Sequence, residues 1–323
     1  MLALASPLLL SACGGDSDAT TADIQWTQAK RQSDSNGLVS VCYGNSVFVA
    51  VGSADPTPNQ ELHRTVSYSL DGRSWTAVAM NVGGQDSGRI MAIAFGNGRF
   101  VAVSETGRIF GSVDGQTWSL VASHPTASFY TVAFGNGRFV ISGDLQDNLI
   151  AHTWHSLDGL AWSEPISSGV GFALSPMKFV NGIVYAFSLT SGGWLLLMST
   201  DSGEHWSQAY IEVDGNIVDI ADMTYGNGIY VAATAAGGLM TSTDRIRWTV
   251  RHRFDPTNYT TLTSLGSTFV LTNGQSILNS TDALSWQETR VGQRGDILNS
   301  TAFDGRQFVA VGYPGVVALG TPA

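Results

Sequence analysis

Between Ile93 and Trp118 apolar and polar positions alternate in short runs that break at regular places: Ile93–Phe95, Gly96-Asn97-Gly98, Arg99–Val103, Ser104-Glu105-Thr106-Gly107, Arg108–Val113 and Asp114-Gly115. Alternation with a period of two marks strands with one buried and one open side, and Asn-Gly between two such runs marks a hairpin, because a type I′ turn needs positive φ at both central residues. Second and third reversals at Glu105-Thr106-Gly107 and Asp114-Gly115 add two more strands, the last beginning with Trp118. The pattern predicts a four-stranded antiparallel meander.

The unit recurs along the chain, and recurrence at a fixed period is read before any other feature of the fold. Its hairpin returns at Tyr43–Phe48, Phe95–Phe100, Phe134–Phe139, Phe179–Gly182, Tyr225–Tyr230, Leu265–Phe269 and Phe303–Phe308. Its closing Ser-x-Asp-Gly-x-x-Trp stands at Ser69–Trp75, Ser112–Trp118 and Ser156–Trp162, with looser copies ending at Trp206, Trp248 and Trp286. Ala22–Trp26 reads as a last strand without the three before it, and the chain after Trp286 supplies three strands without a last one. Complementary ends are what a closed ring requires, since pairing them removes exposed sheet edges. The expectation is an all-β, seven-bladed β-propeller of four-stranded antiparallel blades over residues 22–323, closed by pairing of the N-terminal strand with the C-terminal blade.

Ser199-Thr200-Asp201-Ser202-Gly203-Glu204-His205-Trp206 resembles the Asp-box, or BNR repeat, of sialidase-like propellers; the copies at Asp71, Asp114 and Asp158 are one residue shorter, and those at Asp244 and Asp282 also lack the glycine. The resemblance implies the propeller fold and a structural role for Asp71, Trp75, Asp114, Trp118, Asp158, Trp162, Asp201, Trp206, Asp244, Trp248, Asp282 and Trp286, with each carboxylate folded onto its own turn and each indole packed into the core. It says little about activity, because one fold hosts many functions.

Composition agrees with many short strands and tight turns: 37 glycines and 13% charged residues among 323. A net charge of −10 lacks the basic footprint that nucleic acid demands. Residues 1–10 are apolar, too short to span a bilayer, and lead into Leu10-Ser11-Ala12-Cys13-Gly14-Gly15. That stretch resembles the lipobox of bacterial lipoproteins, although no Lys or Arg precedes it. The resemblance implies a signal peptide over 1–12, lipid on Cys13, a polar tether over 13–21 and a cell-envelope location, with the outer membrane expected in a double-membraned host. Cys42, inside an apolar run, reads as a core residue.

In such a meander the hairpin and Ser-x-Asp turns share one face of the ring, and the connections that vary between copies share the other. Varied loops on a rigid scaffold are where binding resides. Candidates there are His63, Arg64, Arg89, Arg253, Tyr259, Arg294, Asp296 and Tyr313. A sialidase-type enzyme would draw on Arg64, Arg89, Arg253 and Arg294 to grip a carboxylate, Tyr259 or Tyr313 as nucleophile, and Glu61, Asp255 or Asp296 as carboxylates. The Arg-Ile-Pro element of that family is absent; Gly88-Arg89-Ile90-Met91 and Gly107-Arg108-Ile109-Phe110 come nearest. His152 and His155 read as a strand's surface edge, Asp144 and Asp147 as turn residues, and no cofactor or metal is expected. The leading expectation is a monomeric, lipid-anchored binding or assembly platform for a protein or glycan, without catalysis; the alternative is a sialidase-like glycoside hydrolase.

Overall fold

The structure, a computed structural model, describes residues 24–28, 30–31, 37–53, 64–78, 80, 87–146, 148–171, 174, 176–190, 193–257 and 260–322. Among these residues there is no helix, and seven four-stranded antiparallel blades stand in a ring. The innermost strands are Leu38–Gly44, Ile90–Gly96, Ala127–Gly135, Met177–Val180, Ile220–Gly226, Thr260–Leu265 and Ile297–Phe303. From each of the first six the chain zigzags outward to a strand that follows a tryptophan. The seventh blade takes Ile297–Phe303, Phe308–Tyr313 and Val316–Pro322 from the C-terminal part of the chain and its outer strand, Ile24–Trp26, from the N-terminal part. Ile24 pairs with Pro322 and Trp26 with Gly320, while Lys30–Arg31 pairs further along the same strand, at Val317 and Val316. A short extra hairpin, Glu212–Val213 with Asn216–Ile217, lies between the fourth and fifth blades.

The apolar alternation is satisfied between the blades. Among the described residues seven buried clusters form, one at each blade-to-blade contact, and the contact from the seventh blade to the first joins Ala302, Val309, Val311 and Val317 to Leu38, Val41, Phe48 and Ala50. Cys42 packs beside the cluster between the first and second blades.

The hairpins have the expected turn chemistry. Asn97 and Gly98 adopt φ of 47° and 74°, and Asn136, Asn181 and Asn227 repeat the left-handed conformation before their own glycines. The seventh reversal differs: Asp304–Gln307 is a longer turn in which the Asp304 carboxylate accepts from the N–H groups of Arg306 and Gln307. An Asp side chain that caps its own turn does the work of the Asn-Gly pair.

The shared blade sets a measurable dependence. Deleting Ile24–Gln28 removes a strand from Val316–Pro322 and takes Trp26 away from Phe308, so the melting temperature should fall by about 10 °C or more. A melt unchanged by the deletion would show that this strand does not hold the blade.

Candidate functional site

One face of the ring is saturated by its own backbone. In five Ser-x-Asp turns the Oδ1 atom of Asp71, Asp114, Asp158, Asp244 or Asp282 accepts from the N–H groups two and three residues on, at 2.7–2.9 Å. The longer copy shifts this by one residue, so that Asp201 takes the N–H groups of Glu204 and His205. The indole N–H of Trp75, Trp118, Trp206, Trp248 and Trp286 donates to the carbonyl three residues back. Trp162 lacks that bond, although its ring packs at the same place in the third blade. Gly72, Gly115, Gly159 and Gly203 occupy the left-handed position of these turns, and Arg245 and Ala283 hold it as well, with φ of 66° and 59°. The turn therefore survives loss of its glycine with a local strain of about 1–2 kcal/mol.

The backbone donors hold these carboxyls below their usual range. The bond from Ser74 leads for Asp71, from Thr117 for Asp114, from Ala161 for Asp158 and from Arg247 for Asp244. In Asp201 and Asp282 burial pulls the other way and is outweighed by bonds from His205 and Ser285 respectively.

The axis of the ring holds a channel of about 520 Å³ to which all seven inner strands contribute. Its mouth is shaped by β-bulges. The inner strands slip register at Val39, Met91, Tyr130, Ala221 and Asn299, and all of these but Ala221 line the channel. A bulge re-aims a side chain that a regular ladder would keep in the sheet. In the first, third and seventh blades the neighbouring strand carries Gly52, Gly143 or Gly312 beside the bulge, where a Cβ would fall 1.7–2.2 Å from the backbone oxygen of Gly37, Ser128 or Ile297, at or next to the start of the inner strand.

Lys178 and Asp222 are the charged residues of the inner strands. They pair with each other across the fourth and fifth blades. Asp222, fully buried, also accepts from the N–H groups of Met223 and Leu262, and Lys178 donates to the Leu262 carbonyl at 2.8 Å. Three inner strands are thus tied by one neutral, hydrogen-bonded pair, the arrangement that makes a buried charge tolerable. Sequence reading missed both residues. The signal was available: a lysine and an aspartate in strands otherwise built from small, hydroxyl and apolar residues.

The residues singled out from the sequence fall in different places. Cys13, His63, Tyr259, Glu61 and Asp147 lie outside the described residues, as does the side chain of Arg64. Arg89, Arg253 and Arg294 are exposed. Arg89 leads into the inner strand of the second blade, Arg253 ends the outer strand of the fifth, opposite Gly238, and Arg294 leads into the seventh blade. These positions lie on different blades and at different distances from the axis. Asp296, buried, accepts from the N–H of Gln293 in its own loop at 2.7 Å. Tyr313, partly exposed, ends a strand opposite Ile297.

Two expectations are corrected. His152 and His155 are buried rather than at a surface edge, because Asn148–Ser156 lies between two strands of its own blade and both of its sides face neighbouring blades. His152 Nδ1 lies 2.8 Å from the Ile150 carbonyl oxygen, and burial lowers the pKa of His155. The fully buried Trp154 between them packs edge-on against Phe129. Asp144 belongs to the strand Arg138–Leu145 rather than a turn. There burial raises its carboxyl pKa.

No family model matches the chain, and no curated protein matches it. Solved structures do. YCF48 bound to D1 peptide is 16% identical, with a TM-score of 0.68 over 92% of this chain and 97% of that one. A catalytically inactive virginiamycin B lyase from Staphylococcus aureus with quinupristin is 11% identical, with a TM-score of 0.67 over 93% and 99%. YCF48 from Cyanidioschyzon merolae is 15% identical, with a TM-score of 0.65 over 92% and 98%. At these identities the likeness concerns the fold. Propellers of this shape include an enzyme and a protein captured with a peptide.

The turn carboxylates generate a pH dependence. Their folded pKa values lie below the unfolded value of about 3.9, so their stabilisation is complete above about pH 4 and is lost as pH falls below it. The melting temperature should fall slightly from neutral pH to about 5, as His155, whose folded pKa burial lowers, would be protonated only in the unfolded chain, and then drop more steeply as the turn carboxylates titrate. Asp114→Asn with Asp158→Asn should lower it at neutral pH and flatten the acid drop by roughly a third, two turns of the six having lost their titrating group. An acid drop of undiminished size would assign it to other groups.

Proposed function

We propose that the protein is a lipid-anchored envelope propeller that binds a segment of a partner protein over the channel mouth, without catalysis. The observation that carries this reading is the chemistry of the channel. Lys178, the charged group that lines it, is committed to Asp222. What the mouth offers is apolar and hydrogen-bonding surface: Val39, Met91, Tyr130, Thr261 and Asn299. Such a wall suits peptide side chains and backbone, whereas acid-base chemistry needs a titrating group within reach of a substrate atom. The outer parts of the same face add exposed Tyr210, Ile217 and Tyr313, the residue types that interfaces favour. The neighbour with a bound peptide supports the class of ligand.

The turn geometry supports reading the repeats as Asp-boxes, used here as a structural device. Leu10–Cys13 carries the anchor, and an envelope location, at the outer membrane in a double-membraned host, follows from it.

The anchor is tested by Cys13→Ser, which should move the protein from the detergent phase to the aqueous phase; partitioning unaffected by the substitution would rule the lipid out. The binding face is tested in cells by a photo-crosslinking amino acid at Val39 or Tyr313, with Thr117 on the opposite face as control. A protease-sensitive adduct should form at the first two positions, and Tyr130→Ala should reduce it by about tenfold, the factor that 1.4 kcal/mol carries. A protease-resistant adduct, or equal yield from Thr117, would overturn the reading.

A further inference from the structure

The face with the Ser-x-Asp turns carries an unexplained set of side chains. In the first three blades the residue between Ser and Asp is Leu70, Val113 or Leu157; two residues after the Asp stand Leu160, Ile246 and Leu284. All six are 47–79% exposed. Their backbone is already employed. The carbonyls of Val113 and Leu157 accept from Asn45 and Asn97 of the preceding blades, which holds the turns in place while the aliphatic groups stand outward. Five blades contribute, and the apolar groups therefore form a broken ring around one end of the channel, more than scattered exposure explains.

The chain enters the propeller on this same face. Phe308 and Trp26 both pair with Gly320, as Phe48 pairs with Ser69, the first residue of a Ser-x-Asp turn. Gly320 thus occupies the place where other blades begin that turn, and Ile24 lies two residues further out. Ten residues separate Ile24 from Cys13, a stretch that reaches about 40 Å at full extension. Running back along the outside of a seven-residue strand would use about 23 Å of that reach, so the opposite face is poorly placed for an anchor at Cys13.

We infer that the Ser-x-Asp face rests on the lipid bilayer, with these six aliphatic side chains at the boundary between headgroups and acyl chains and the channel mouth turned away from the membrane. The inference rests on the lipid anchor proposed above. A net charge of −10 gives no general attraction to anionic lipid, so contact depends on the covalent lipid together with apolar insertion. The Asp carboxylates of this face are folded onto their own turns and Glu204 is paired with Arg138, which lessens their resistance to a headgroup layer.

The test uses the lipidated protein in vesicles of phosphatidylethanolamine and phosphatidylglycerol that contain headgroup spin-labelled lipid. In a Cys42→Ala background an environment-sensitive fluorophore is placed by Val113→Cys or, at the far end of the same blade, by Ser123→Cys. The Val113 probe should shift to the blue and be quenched severalfold more than the Ser123 probe. Leu157→Asp with Leu160→Asp should weaken that quenching while flotation with the vesicles and the melting temperature stay unchanged. Equal quenching at both probes, or stronger quenching at Ser123, in protein that still floats would overturn the orientation and leave the anchor standing. Loss of flotation by the parent protein would overturn the anchor and this surface with it.

Discussion

The ring depends on directional contacts made at the asparagine-bearing hairpins, above the non-directional apolar cores between blades. Asn45 donates to the carbonyls of Gly98 and Val113 in the next blade, and Asn97 and Asn227 repeat the pattern onto Gly137 and Leu157 and onto Ser267 and Thr281. Beside it an aromatic ring of the following blade covers the preceding hairpin glycine: a Cβ on Gly44 would meet Phe95 at 2.3 Å, on Gly96 Phe134 at 2.1 Å, and on Gly135 Phe179 at 2.2 Å. Apolar burial would let two sheets slide over one another; a clamp to two carbonyls sets their relative angle. The Phe-Gly-Asn-Gly motif is therefore a joint between blades as much as a turn within one. Gln307 plays the corresponding part at the last joint by donating to the Asp71 carbonyl.

Much of this was legible because local chemistry dictates it. Asn-Gly pairs, the Ser-x-Asp turns and the tryptophan spacing each concern residues close in sequence, whose requirements are stated by their neighbours. The channel was not legible in that way. The pairing of Lys178 with Asp222, 44 residues apart, depends on which side of an inner strand faces the axis, and in the strand of Asp222 a register slip at Ala221 decides that. Gly52, Gly143 and Gly312 were the available sign, being glycines inside strands where no turn asks for one. His152 and His155 were misplaced for a related reason: alternation tells two sides of a strand apart without telling that a neighbouring blade covers both.

The two ends of the ring divide their work. At one end the turn carboxylates and hairpin amides are consumed by turns and joints, and aliphatic groups stand exposed between them. At the other, each blade contributes a different residue to a common rim. A repeat can vary such a rim at little risk to its turns, because the hairpin joints and the Ser-x-Asp turns lie at the opposite end of the strands.

The blade built from both ends of the chain bears on how the protein reaches its native state. Gln28 meets Arg290, Asn299 meets Leu38, and the Leu319 N–H donates to Thr27 across 292 residues. Closing a loop of that size costs about 5 kcal/mol in chain entropy, and the six other blades can form before any of it is recovered. During synthesis the outer strand of the seventh blade emerges before the six other blades and waits for partners that emerge after them. Until then Leu38, Val41 and Phe48 of the first blade lack the side chains that cover them, so a stalled or clipped chain presents apolar surface to chaperones and proteases. Formation of the seventh blade and concealment of that surface are one event, so the cover of the first blade depends on strands made after the six others.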